Sequence, residues 1–158
     1  MAAERLRPVG VIDRLWRMPT DSIGRLALVL AGRDVEIREH GTVKLAYGPG
    51  VGRLLDRLSR PGWIGAMTLG RVVLARDAEI GERLWGHELV HVRQAAALGP
   101  LFLPAYGLAS LQALLRGGDA YFDNRYEVEA RRYEQLAHEG SLSRESPEPS
   151  DGCPEHSR

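Results

Sequence analysis

LGRVVLARDAEIGERLWGHELVHVRQAAAL, residues 69–98, is the stretch on which the reading of this chain turns. Its first seven residues, Leu69 to Ala75, are β-branched and apolar and predict a strand, with Arg76-Asp77 as a turn and Asp77 as a helix N-cap. From Ala78 to about Leu98 there is no proline, and Ala, Leu, Glu and Arg dominate, so the spacing predicts a helix. Trp85, Leu89, Val92 and Ala96 recur every three or four residues and predict a buried stripe that excludes His87 and His91.

His87-Glu88-Leu89-Val90-His91 lies on that helix and has the pattern HExxH. Side chains four apart on a helix share a face, so the two imidazoles can hold one zinc ion. Glu88 then lies beside it as the base that takes a proton from an attacking water. These residue types at this spacing point to a zinc-dependent peptide hydrolase. A catalytic zinc needs three protein ligands, so a third must come from later in the chain. Asn124-Arg125-Tyr126-Glu127-Val128-Glu129-Ala130, on the next predicted helix, offers two carboxylates. Asn124-x-x-Glu127 also fits a capping box, and Glu127 with Arg131 an ordinary helical ion pair.

Upstream, RLALVL (25–30), DVEIR (34–38) and TVKLAY (42–47) alternate or run β-branched between glycines and predict a small antiparallel meander. Val51 to Ser59 predicts a short helix stopped by Arg60-Pro61-Gly62. Downstream of the motif the chain is helical, with breaks near Gly99-Pro100 and Gly117-Gly118. Leu98 to Leu115 is apolar apart from Ser110 and Gln112, close to a membrane-spanning length. Pro100, Pro104, Gly99 and Gly107 interrupt it, which favours a buried helix beginning near Pro104 over a span and leaves membrane contact through 98–115 as the lesser reading. Residues 140–158 are Ser, Pro, Glu and Gly with few apolar residues and predict a disordered polar tail. The class expected is α+β: residues 1–139 form one domain, a small N-terminal antiparallel sheet followed by a helical metal-binding half.

The 158 residues suffice for one hydrophobic core. Twenty-one basic and twenty-one acidic residues balance to a net charge of zero. Without an electrostatic footprint, nucleic acid is not an expected partner; the expected partner is a peptide or protein substrate. Met1 to Trp16 carries charges throughout and has no apolar signal core, so a cytoplasmic location is expected. Cys153, the only cysteine, lies in the tail near His156 and is half a metal site at most.

Taken together, HExxH and the later Glu127-Val128-Glu129-Ala130 resemble the gluzincins, zinc metallopeptidases in which a glutamate from a downstream helix completes the HExxH site. The E-x-x-A pattern of membrane-associated members of that group matches with Glu127 first, and Ala130 would let the two helices approach closely. His87 to Gln94 also resembles the HExxHxxQ helix of small bacterial zincin-like domains, with Gln94 one turn past His91 as a supporting group. The resemblance implies zinc held by His87, His91 and Glu127 with Glu88 as catalytic base; Glu129 and, behind it, Asp119 or Asp123 stay open as the third ligand. It spans roughly residues 68–135. A thermolysin-like N-E-x-x-D is lacking, so the usual aspartate partner of a ligating histidine is unassigned. Tyr106, Tyr121 and Tyr126 are the candidate donors to an oxyanion. A zinc-stabilised binding domain on the same scaffold would keep these ligands without catalysis. The strand at Leu69 to Ala75 is either an edge along which an extended substrate could pair or an internal strand.

Overall fold

Two hairpins and the helices that cover them make the first two-thirds of the described residues, and a helical cap makes the rest of them. The computed structural model describes residues 11–145. In chain order the elements are α1 (Val11–Ala31), β1 (Glu36–His40), β2 (Val43–Tyr47), α2 (Pro49–Leu58), β3 (Ala66–Leu69), β4 (Val72–Ala75), α3 (Ala78–Arg83), α4 (Trp85–Leu98), a 3-10 turn at Gly99–Leu101, α5 (Phe102–Leu115) and α6 (Arg125–Glu145). The class is α+β. The sheet is mixed, in the order β1-β2-β4-β3. Each hairpin is antiparallel, while β2 and β4 pair in parallel, Lys44 opposite Val72 and Tyr47 opposite Ala75.

The predicted strand at Leu69 to Ala75 is divided. Gly70 takes a left-handed conformation, φ +63°, and turns β3 into β4 with Asp21 packed against its Cα, where a side chain would collide. Val72 to Ala75 is therefore the internal strand, and the edge belongs to Ala66–Leu69. Every residue of β4 is buried. Val72 and Leu74 face α1 and α2 together with Val51, Leu54 and Leu55. Val73 and Ala75 face the other layer with Val43, Leu45 and Val92. Leu45, Leu55 and Leu74 are fully buried, each stabilising the fold by about 2 kcal/mol.

Arg25 to Leu30, expected as a strand, is the second half of α1. The helical period is carried by small residues: Thr20, Gly24, Ala27 and Ala31 face the sheet, and the large apolar residues Leu26, Val29 and Leu30 point outward. A run of leucines and valine reads as a strand when the residues that make the contact are the small ones between them. The same inversion occurs in α5. Expected as a buried helix, it buries only Phe102, Ala109 and Ala113 and exposes five leucines.

Helix α6 passes through Gly140 to Glu145, beyond the point where the sequence predicts a tail to begin. Residues 146–158, with Cys153 and His156, lie outside the described residues, as does the side chain of His138.

At Gly24, an added Cβ would strike the Leu69 carbonyl oxygen and sit 2.9 Å from Val72 Cγ2. Gly24→Ala gains up to about 1 kcal/mol of helix propensity but overpacks a contact with backbone, costing about 1–3 kcal/mol. We expect net destabilisation of about 1 kcal/mol, read as a lower urea midpoint with unchanged slope. An equal or higher midpoint would mean that α1 does not rest on β3 and β4 at this position.

Candidate metal centre

Helix α3 starts where Asp77 caps it, the carboxylate accepting from the Ile80 N–H at 2.8 Å. It stops at Leu84, whose φ of −90° and ψ of 1° leave the helical region, so the single helix expected from Ala78 to Leu98 is two. Helix α4 begins at Trp85 and places Glu88 in its first turn. His87, His91 and Gln94 then run along the side facing α5 and α6, while Glu88 is turned toward β3.

The burial of α4 differs from the expected stripe. His87, Glu88 and His91 are 7%, 4% and 6% exposed, whereas Val92 is the one stripe residue that is buried. Trp85, Leu89 and Ala96 are half-buried. Leu89, Val92 and Ala96 line, with Leu15, Trp16 and Val43, a groove of about 1100 Å³. That groove contains none of His87, Glu88, His91 or Glu127. The polar side of α4 is packed because helices close over it.

Asn124 is what aims Glu127. It is fully buried, its Oδ1 accepts from the Tyr126 N–H at 2.9 Å as an N-cap, and its Nδ2 donates to the Tyr106 carbonyl and to Ser110 Oγ on α5. The reciprocal half of a capping box is not made. The Asn124 N–H goes to the Tyr121 carbonyl, and Glu127 turns to the histidines. Its Oε2 lies 3.2 Å from His87 Nε2 and its Oε1 3.2 Å from His91 Nε2. The two Nε2 atoms are 3.1 Å apart, and one donor atom from each of His87, His91 and Glu127 falls within a 4.8 Å span. Tyr106 donates its hydroxyl to Glu127 Oε1 at 2.7 Å. Arg131 is only a distant partner, 3.9 Å from Oε2. Glu129 accepts from Gln94 Nε2 instead and does not join the cluster, and Ala130 is fully buried at the helix contact.

The donor set suits a divalent cation. Glu127 Oε2 is buried and lacks a hydrogen bond despite its nearness to His87, as expected of a lone pair directed at a missing positive charge. Gln94 Nε2 donates to the Tyr126 carbonyl and to Glu129, which orients the amide with Oε1 toward His91 Nδ1, 2.8 Å away. His91 must donate from Nδ1, so in the neutral ring Nε2 carries a free lone pair facing the cluster. Gln94 is thus the side chain that fixes the His91 ring. For His87 the nearest carboxylate to Nδ1 is Glu134, at 3.7 Å.

Burial opposes the Glu127 charge, yet the adjacent His87 and His91 imidazoles and the hydrogen bond from Tyr106 outweigh it and hold the carboxyl well below its usual range. Burial would likewise lower His91, but the Glu127 carboxylate and Gln94 raise it overall. Burial raises Glu88, against the hydrogen bond from Thr68 and the fields of His91 and His87. The Tyr106 phenol is pushed far up by burial and then by Glu127, and Tyr121, by the same causes, up to about 12.

Thr68 is the functional neighbour that sequence reasoning missed. On β3, it donates to Glu88 Oε2 at 2.6 Å within the buried region. A threonine in a strand is ordinary, so no local signal marks it. Of the tyrosines, Tyr106 reaches the cluster, whereas Tyr126 is a packing residue between Phe102 and Tyr106. Asp119 and Asp123 hold the α5–α6 loop through backbone N–H groups, and His40 stacks on Trp85.

In comparison with known proteins, no family model, no curated protein and no solved structure matches this chain.

Gln94→Leu removes the acceptor that fixes the His91 ring without touching the cluster atoms themselves. Zinc affinity, measured by competition with a chromogenic chelator, should fall about 10–100-fold. Unaltered affinity would mean that Gln94 has no part in orienting His91.

Proposed function

We propose that this chain is a zinc-dependent hydrolase of peptide bonds, with zinc held by His87, His91 and Glu127 and with Glu88 as the general base. One observation carries the reading: two imidazole nitrogens and a carboxylate oxygen from two helices converge within 4.8 Å. Nitrogen and oxygen donors in this ratio suit zinc, and three protein ligands leave a coordination position for substrate, which closed structural centres do not. Zinc bound there would supply a Lewis acid that polarises the scissile carbonyl and acidifies water.

The chain's own residues carry the proton. Glu88 accepts it from water as the oxygen attacks the carbonyl carbon, then delivers it to the leaving amine as the C–N bond breaks. Thr68, bonded to Oε2, fixes the carboxylate and leaves Oε1 for that transfer. Tyr106 stays protonated at neutral pH, because its pKa is raised, and its hydroxyl would donate to the developing oxyanion by turning from Glu127 Oε1, to which it donates here. Since Thr68 lies on the edge strand β3, an extended polypeptide paired along that edge would pass beside Glu88.

Burial favours a second reading, a zinc-stabilised binding domain without catalysis. His87, Glu88, His91 and Glu127 are all between 3% and 7% exposed, and a centre this enclosed admits water more readily than a peptide.

Metal analysis and cleavage of a peptide library, performed on wild type, Glu88→Gln and His91→Ala, separate the two. The hydrolase predicts one zinc per chain in wild type and Glu88→Gln, turnover reduced about 10²–10⁴-fold in Glu88→Gln, and neither zinc nor turnover in His91→Ala. Zinc in the first two without cleavage by wild type transfers the assignment to the binding domain, and a wild type without zinc overturns both.

A further inference from the structure

From Ala95 to Leu115 the chain contains no Asp, Glu, Lys, Arg or His, and Arg93 and Arg116 bracket the stretch. Helix α5 occupies most of it. With Phe102, Ala109 and Ala113 turned inward, the outer half of its circumference is presented by Leu103, Leu108, Leu111, Leu114 and Leu115, of which Leu108 is 67% and Leu115 80% exposed. Only Gln112 interrupts this face; Ser110 is engaged by Asn124. Contiguous apolar surface of this kind marks a contact site on a soluble domain.

The chemistry of the face distinguishes what covers it. A protein partner would be met by about one hydrogen bond per 100–200 Å², and within the face itself Gln112 is the one polar side chain. Lipid requires none. It selects an uncharged face with a cation at its margin, and the exposed Arg116 ends α5. By length and composition Trp85–Leu115 could cross a bilayer, but Gly99 breaks it at φ +53°, and α5 alone, at 14 residues and about 21 Å, falls short of the roughly 20 residues that span one. The core-helix explanation also fails, because only 22% of the 18-residue apolar window that the Trp85–Leu115 stretch provides is buried.

We propose that α5 is a bilayer-docking helix, lying in the plane of the membrane surface with its leucine face in the acyl boundary and Arg116 among the lipid phosphates. The inference is independent of the metal centre. It does fix where that centre would work, since the inner side of the same helix carries Tyr106, hydrogen-bonded to Glu127. If the hydrolase reading holds, its substrates are polypeptides held at a membrane.

The test is flotation of the full chain with vesicles of phosphatidylcholine and phosphatidylglycerol, comparing wild type with the Leu108→Asp/Leu111→Asp double variant. Both positions are at least half exposed, so the helical circular dichroism spectrum and the zinc content should be unchanged. Should the double variant lose that spectrum, Leu114→Asp reads the same face with a single change. We expect wild type to float with the vesicles and each aspartate to lower the partition coefficient about tenfold. Wild type that stays with the soluble fraction overturns the proposal, whether it is monomeric by light scattering or self-associates through α5. Equal flotation of wild type and variants overturns it as well.

Discussion

A carboxylate with almost no access to water organises the helical half of this protein. Glu127 stays charged because polar groups from three helices surround it: the imidazoles of His87 and His91 from α4, the donating hydroxyl of Tyr106 from α5 and, more distantly, Arg131 from α6 itself. An uncompensated buried charge costs several kcal/mol, so α4, α5 and α6 can pack only in the register that brings those groups together. Asn124 enforces that register from the other side, tying the start of α6 to the middle of α5 with a side chain that has no exposed surface. The polar contacts that define the candidate site are thus the same ones that define how the helices fit.

Much of this arrangement could be read before the structure was known, and what could not shares a physical cause. The four-residue spacing of His87 and His91 predicts imidazoles side by side, and their Nε2 atoms lie 3.1 Å apart. In the sequence only a pattern resemblance separates Glu127 from Glu129, and of these two the structure brings Glu127 to the histidines. The hidden features were tertiary. Nothing within several residues of Thr68 reveals that its hydroxyl meets a carboxylate twenty positions away. The packing of α4 on its polar side depends on two helices that come later in the chain.

The misread elements were α1 and α5, and both hide their contacts in small residues. Gly24, Ala27 and Ala31 on one, Ala109 and Ala113 on the other, allow close approach to the body of the protein, while the bulkier side chains turn away. Hydrophobicity scales reward the large residues and so assign the inner face to the wrong side. Burial here follows shape before it follows hydrophobicity, a pattern more familiar where helices meet in a non-aqueous surrounding.

The mixed sheet also sets an order of assembly. Each hairpin closes through neighbours in sequence, so β1 with β2 and β3 with β4 can form as local units at little loop-closure cost. Only the parallel pairing of β2 with β4 joins them, and it requires α2 and the segment after it to be compacted first. Within the sheet, the loop-closure entropy therefore falls mainly on that one seam, where Leu45 meets Val73.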